Sequence, residues 1–443
     1  MARRIVAVGP DCRSSMTHAM NSFEHGRPPR LLILGAGSRG GTYADYVRRH
    51  PDEGVVVGVA EPDAARREAF ARAYGLPPER VYADWQSALT APRFADIAVI
   101  ATQDADHVAP VEAAAALGYH LLLEKPMAPD EDGCRRIVAA AGAAGVMLGV
   151  CHVLRYTAYT QALRRVLDVG TIGDIVSVEH LEPVGYWHQA HSFVRGHWRN
   201  EAHSSPMLLA KSCHDLDWLR YVVGLPCERV SSFGSLKHFR RGDQPPGASD
   251  RCVTCPPEIE QRCPYSATRY YLGQLEAGNT GWPLNVVTTD FTPEGVLDAL
   301  TRGPYGRCVY ACDNDVVDHQ VVNFGFAGGV TATFTMTAFT RARGRETRIF
   351  GTRGELYGDS QIIRVYDFLT GDTTELDSDV ASDGSILSGH GGGDDGLMKA
   401  FLAAVAHDDP SLILSGPQET LESHLMVFAA ERARHEGRVV ALG

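Results

Sequence analysis

Residues 31–40 read Leu31-Leu32-Ile33-Leu34-Gly35-Ala36-Gly37-Ser38-Arg39-Gly40. An unbroken apolar run gives way to G-x-G-x-x-G, and a helical pattern follows from Gly41 to Arg49. This order describes a buried strand, a tight turn and a helix. Gly35 permits the turn, Gly37 opens the main chain to a close ligand, and Gly40 lets the helix pack against the sheet. The helix start offers free N–H groups and partial positive charge, which suit a pyrophosphate. Gly35, Ala36, Gly37, Ser38, Arg39 and Gly40 are therefore the expected phosphate-binding set. Glu61 follows the second strand. A carboxylate there accepts hydrogen bonds from ribose hydroxyls and repels a 2′-phosphate, so the pattern favours NAD over NADP. Arg66 and Arg67 on the next helix soften that preference.

Outward from this loop, apolar runs recur at Gly54–Ala60, Ala95–Ala101, His120–Leu123 and Gly145–Val150. Helical patterns separate them at Ala64–Tyr74, Val111–Leu117 and Glu131–Gly142. Strands without internal alternation, spaced by helices, imply a parallel sheet covered on both faces. Residues 29–150 thus read as a doubly wound Rossmann domain. The pattern then changes. Helices are expected at Tyr159–Val169, Pro206–Val223, Gly396–Ala406 and Glu419–His435, and a strand at Ile175–Glu182. Val316–Phe339 and Thr347–Asp367 are rich in β-branched and aromatic residues and read as antiparallel sheet. The fold class is α/β: an N-terminal Rossmann domain and a C-terminal α+β domain over 151–443 with a large open, mainly antiparallel sheet. Residues 241–306 read as a loop-like, Gly/Pro-rich insertion. Residues 1–28 form an extension without periodicity, within which Met16 or Met20 is an alternative start.

The composition sets bounds. A chain of 443 residues with 44% hydrophobic and 22% charged residues is that of a globular protein of two or three domains. Its net charge of −12 argues against nucleic acid or an anionic membrane as partner. No apolar run approaches the roughly 18 residues of a membrane span. The N-terminus lacks the pattern of a secretory signal, and the cytoplasm is the expected location.

Two further segments sit at carboxyl ends of parallel strands, where such sheets place ligands. Thr102-Gln103-Asp104-Ala105-Asp106-His107 follows the third strand, and Glu124-Lys125-Pro126 follows the fourth. Lys125 either bonds a substrate hydroxyl and the cofactor ribose, or is an ordinary surface lysine. Together GAGSRG, Glu61, ATQDADH and EKP resemble the glucose–fructose oxidoreductase / inositol dehydrogenase (Gfo/Idh/MocA) family, most closely over residues 30–235. The resemblance implies NAD held in a cleft between the two domains. It implies hydride transfer on a carbohydrate or cyclitol, and a homodimer or homotetramer built on the open sheet. It places the family's lysine on Lys125 and the cofactor-proximal positions on Thr102, Gln103, His107 and Glu124. It also places the histidine of a pocket-lining helix on His214. Many members carry Asp four residues earlier; this chain has Ala210 there and Lys211 next to it. Lys125 and His214 are the expected proton-transfer groups, and Lys211 the expected charge stabiliser. The alternative is a Lys211–Asp215 surface pair with His214 packed inside.

The stretch around Tyr186, Trp187, His191, Arg195, Trp198 and Arg199 is cationic and aromatic. Flat rings suit sugars and Arg suits anionic groups, so these residues and His214 are the candidate substrate contacts. A structural loop is the competing reading. Ten cysteines occur in the chain. Cys252-x2-Cys255-x7-Cys263 supplies three thiolates of a structural zinc site, ahead of an iron–sulfur cluster, with Cys308, Cys312 or Cys227 as the fourth ligand. Otherwise they are reduced cysteines in a mobile insertion. Asp313-Asn314-Asp315 with Asp318-His319 reads as turn chemistry, with a reach into the pocket as the alternative. His390–Asp395 reads as a loop capping the next helix through an Asp, with a lid as the alternative.

Three functions fit these residues. The first is an NAD-dependent dehydrogenase of a sugar, sugar derivative or cyclitol. The second is an NAD-dependent glycosidase working by transient oxidation, elimination, water addition and re-reduction, including on an anionic sugar such as a sulfoquinovoside. The third is a catalytically silent NAD-bound sensor, against which Lys125 and His214 argue.

Overall fold

The computed structural model describes residues 27–377 and 390–442. The N-terminal extension, apart from its last two residues, lies outside the described residues. The N-terminal half runs β1 (Arg30–Leu34), α1 (Ser38–Arg49), β2 (Val55–Ala60), α2 (Ala64–Tyr74), β3 (Val81–Tyr82) and α3 (Trp85–Thr90). It continues with β4 (Ile97–Ile100), α4 (Val108–Ala116), β5 (His120–Leu123), α5 (Glu131–Ala144) and β6 (Leu148–Val150). The strands form one parallel six-stranded sheet in the order β3-β2-β1-β4-β5-β6. Every side chain from Leu31 to Leu34, and from Ile97 to Ile100, is fully buried, which is why these strands show no alternation in sequence. The short β3 escaped the sequence reading because it has only two residues.

The second half contains α6 (Ala158–Asp168), β7 (Ile175–Pro183), α7 (Tyr186–His188), α8 (Met207–Ala210), α9 (Cys213–Val223) and β8 (Cys227–Ser235). The insertion follows, with α10 (Pro257–Glu260), α11 (Ala267–Glu276) and α12 (Pro293–Arg302). Then come β9 (His319–Phe326), β10 (Thr331–Thr337), β11 (Glu346–Gly351), β12 (Gly354–Gly358), β13 (Ile362–Asp367) and β14 (Thr373–Asp377). The chain closes with α13 (Gly393–His407), α14 (Pro417–Glu436) and β15 (Val440–Ala441). A nine-stranded sheet has the order β14-β13-β12-β11-β7-β10-β9-β8-β15. Its one parallel pair is β7 with β10. One face of this sheet packs on α6, α9 and α14 through residues such as Leu163, Trp218, Phe334 and Val427.

Two expectations change here. The insertion is not a bare loop: Ser266 caps α11 by accepting from the Arg269 amide, and Thr292 with Pro293 opens α12. The expected helix Pro206–Val223 breaks at Lys211 and Ser212 into α8 and α9. The last two long helices do not belong to the second sheet alone. Leu397, Met398, Phe401 and Leu402 of α13 share a core with Leu31, Ile33 and Val47 of the Rossmann half. Ion pairs Arg39–Asp394 and Arg49–Asp395 fasten the same contact. The stretch at 393–395 is thus docked, and the N-cap of α13 is Gly392 rather than an Asp.

Candidate active site

The phosphate loop has the shape that its glycines require. Gly35 has φ +94°, and a Cβ there would lie 2.4 Å from the Ala101 carbonyl oxygen. A Cβ on Gly40 would lie 1.9 Å from the Gly35 carbonyl oxygen. At Gly37 a Cβ would meet nothing within 4 Å. Gly37 is also the N-cap of α1, and no side chain caps it. The loop is therefore closed on its sheet side and open over the helix start, a cradle that fits a pyrophosphate. Glu61 is buried at the end of β2; its carboxylate accepts from the Ala36 amide (2.8 Å) and the Asp63 amide (3.0 Å). Arg66 pairs with the same carboxylate at 3.3 Å, and Arg67 donates to the Glu61 carbonyl oxygen. We expect Gly40→Ala to force this loop open. NAD should then no longer raise the melting temperature, whereas the native chain gains stability with ligand concentration.

The Thr102–His107 segment forms a short turn, with the Thr102 hydroxyl donating to the Asp106 carbonyl oxygen at 3.1 Å. His107, expected at the cofactor, is fully buried instead. Its Nδ1 donates to the Pro126 carbonyl oxygen (2.8 Å) and its Nε2 lies 3.3 Å from the Thr102 carbonyl oxygen. It ties the two strand-end loops together. Glu124 is likewise an anchor: it accepts from Arg39, the Tyr43 hydroxyl (2.9 Å) and the Lys125 amide. Burial opposes its ionisation, but the Arg39 and Lys125 charges and these bonds hold its carboxyl below the usual range.

Lys125 leaves β5 and reaches the other domain. Its Nζ donates to the Ala210 carbonyl oxygen at 2.9 Å. That carbonyl ends α8, where the helix itself supplies no further amide. Four residues on, His214 is buried in the first turn of α9. Its ring meets His152 edge-on at 5.6 Å, and His152 meets His424 at 5.4 Å. His424 in turn accepts from the Met127 amide at 3.0 Å.

Lys211 is not a loose cation. Its Nζ binds Glu182 at 2.8 Å; the other Glu182 oxygen binds Arg345 at 3.0 Å; Arg345 also binds Asp215. His180 completes the chain, 3.3 Å from Asp215 and 2.7 Å from the Thr347 hydroxyl. Two buried carboxylates thus face two cations. Arg345 and His180 hold the Asp215 carboxyl well below the usual range against the cost of burial. His188 lies among these groups. Burial, then the neighbouring Lys211, His191 and Lys125 charges, keeps it neutral far below the ordinary histidine range.

The basic stretch divides. Trp187 is partly exposed and packs with Tyr270 (5.2 Å) and Trp282 (5.6 Å) of the insertion, and Tyr186 is exposed. The other expected substrate contacts are engaged within the chain. Buried His191 binds the Tyr271 hydroxyl at 2.7 Å. Trp198 packs against the second-domain core. Arg199 pairs with Asp313 at 3.0 Å. Arg195 is buried against the cysteine segment, with bonds to the carbonyl oxygens of Arg307 and Tyr265, both 2.7 Å. Cys252, Cys255 and Cys263 border one small cavity with Cys308; Cys227 lies elsewhere, on β8, and Cys312 is outside the lining.

Sequence reasoning missed His152, His424, Glu182 and Arg345, and placed His188 only within the basic aromatic stretch. Only His152 carried a local signal, since it follows β6 at the carboxyl end of a parallel strand. His152 also predicts a pH dependence. Burial pushes its pKa down to about 3, against Asp217, which pulls the other way. The unfolded chain takes up a proton near pH ~6.5 that the folded chain refuses, so stability falls on acidification. For His152 alone the loss is about 2 kcal/mol at about pH 5. His191, also pushed down to about 3 by burial, adds to it. Denaturant titrations at neutral and acid pH check this.

Parallel strands, a glycine cradle with an acidic ribose partner, and a lysine bridging to an open-sheet domain define a dinucleotide-binding protein of two domains. A family model for the oxidoreductase family's NAD-binding Rossmann fold matches residues 30–152, and the model for its C-terminal alpha/beta domain matches residues 164–442. The chain belongs to the Gfo/Idh/MocA oxidoreductase family. Inositol 2-dehydrogenase of Leifsonia xyli is 28% identical over 49% of this chain and 59% of its own length. The 2,7-anhydro-N-acetylneuraminate hydratase of Escherichia coli is 26% identical over 47% of this chain and 54% of its own length. The chain therefore spans little more than half of these curated relatives. Among solved structures, the WlbA dehydrogenase of Bordetella pertussis, crystallised with NADH and UDP-GlcNAcA, aligns with a TM-score of 0.65. It is 18% identical and covers 95% of this chain and 99% of its own. These structural likenesses establish the shared fold. Among the described residues no helix is long and apolar enough to cross a membrane.

Proposed function

We propose that this chain is an NAD-dependent dehydrogenase of a sugar, sugar derivative or cyclitol. The observation that carries the reading is Lys125, whose ammonium bridges the domain junction to the carbonyl of Ala210, one turn before His214. Bound NAD supplies a hydride acceptor. Gly35, Gly37, Ser38 and the α1 N-terminus hold its phosphates, and Glu61 turns from the Ala36 amide to the ribose hydroxyls. Lys125 orients the substrate hydroxyl, and Lys125 with His214 carries its proton away. Lys211 stays neutralised by Glu182, so it fixes the floor of the site rather than supplying a free charge.

The second reading is the NAD-dependent glycosidase. A relative named as a hydratase supports redox-neutral chemistry on this scaffold. An anionic substrate such as a sulfoquinovoside loses support, because Arg195 and Arg199 are both engaged within the chain. One experiment separates the readings. The protein is incubated with NAD and either free polyols or nitrophenyl glycosides. Stoichiometric NADH from polyols supports the dehydrogenase, and aglycone release without net NADH supports the glycosidase. Neither signal with tight NAD binding sinks both. The outer face of the nine-stranded sheet exposes Val176, Phe233 and Tyr366. We propose that it seats a second copy, giving the dimer or tetramer expected in the cytoplasm; light scattering of the full chain checks the assembly.

A further inference from the structure

The insertion of residues 241–306 plays no part in the chemistry above. Its own apolar cluster is small: Ala267, Tyr271, Leu284, Val296 and Leu300. A core of that size gives little stability alone. Beside it, Cys252, Cys255, Cys263 and Cys308 border one cavity, closed off by Ile259 and Tyr310. All four cysteines are free of disulfides. Cysteines that merely fill a core close up against one another and leave no shared void.

Arg195 supplies an independent observation. Its side chain is buried, and its partners are the carbonyl oxygens of Arg307 and Tyr265 and, at 3.6 Å, the Cys252 sulfur. Among the described residues no carboxylate pairs with it. A buried guanidinium without a counter-ion is costly unless negative charge lies near. Gln244 aims a second N–H at this group, 3.7 Å from the Cys308 sulfur. Two N–H donors, one of them a cation, are thus directed at sulfur, the arrangement that a metal-bound thiolate pair would accept.

We propose that Cys252, Cys255, Cys263 and Cys308 ligate an iron–sulfur cluster that staples the insertion to the body of the protein. The separation of the sulfurs favours a cluster over a single ion. A single tetrahedral zinc, with Zn–S near 2.3 Å, holds its sulfurs about 3.8 Å apart. Among the described residues the one set of three or more potential ligand atoms mutually within 4.8 Å is Glu201, Glu431 and His435, so no three of the four sulfurs approach that closely. A cuboidal cluster carries its thiolates on separate irons and spans a wider quartet. The net anionic cluster supplies the charge that Arg195 faces. Arg195 then links the cluster back to α7, where Trp187 and His188 pack on Trp282. The cluster is structural, and no electron-transfer step is assigned to it.

The test uses the full chain purified without oxygen. Iron, zinc and acid-labile sulfide are counted, and the visible spectrum is recorded. The expected result is about four irons and four sulfides per chain with a brown chromophore. Cys308→Ser should lose the chromophore, whereas Cys312→Ser and Cys227→Ser should keep it. Limited proteolysis should cut the cluster-depleted chain within residues 241–306 and leave the loaded chain intact. About one zinc without iron, disulfides among the four cysteines, absence of any metal, or a Cys308→Ser protein that retains full iron would each overturn the assignment. The wild-type counts decide the matter even if a variant does not fold.

Discussion

Lys125→Met is expected to lower turnover by about 10²–10⁴-fold, the range for removing a positioned proton-transfer group. Met keeps much of the side-chain volume and removes the ammonium. The backbone around it is held by His107 and by Glu124, whose carboxylate keeps its bonds to Arg39 and the Tyr43 hydroxyl without the Lys125 amine. NAD affinity and melting temperature should therefore change little, and the loss should fall on kcat. The measurement is steady-state kinetics beside NAD titration and thermal unfolding of the same preparation. Unchanged kcat would remove Lys125 from the chemistry and leave its contact with Ala210 a structural bridge.

Asp217→Ala should cost about 3–5 kcal/mol of stability, because it removes the buried carboxylate of a buried cation and leaves only the exposed Glu419 to pair with it. Arg155 is fully buried and donates two bonds of 2.7 Å to Asp217. It also bonds Glu419 at 2.9 Å and the Leu414 carbonyl oxygen. The Ser423 hydroxyl donates to Asp217 at 2.9 Å. One guanidinium therefore joins the segment after β6, α9 and the start of α14. Replacing Arg155 by Met as well should recover part of the loss, since the uncompensated charge disappears. Denaturant unfolding of both single variants and the double variant measures the coupling. Additive losses would show that the pair is not the unit it appears geometrically.

The Rossmann half was legible because its strands are buried on both faces, so Leu31–Leu34 and Ile97–Ile100 stand out as apolar runs. The glycine loop was legible because its spacing reflects contacts within a strand and its turn, whereas Lys125 stood out only through the family resemblance of its EKP triplet. The rest depended on contacts between residues distant in sequence. Nothing local says that Lys211 meets Glu182 and shares it with Arg345, or that Arg195 turns toward cysteines. The cysteine triplet was visible, but the partner that joins it in space, Cys308, was one of three choices until the chain was folded. The helices α11 and α12 did carry start signals, Ser266 and Thr292-Pro293, which the surrounding glycines and prolines obscured.

The docking of α13 on the Rossmann sheet sets an order of assembly. As the polypeptide leaves the ribosome, the cofactor half emerges first, with Leu31, Ile33 and Val47 on a side that its own helices leave incompletely shielded. The missing cover, Leu397 to Leu402, is translated only after the whole second sheet. The nascent N-terminal half must therefore remain soluble with a greasy flank until α13 has been made, and a premature stop codon anywhere before α13 yields a product prone to aggregate.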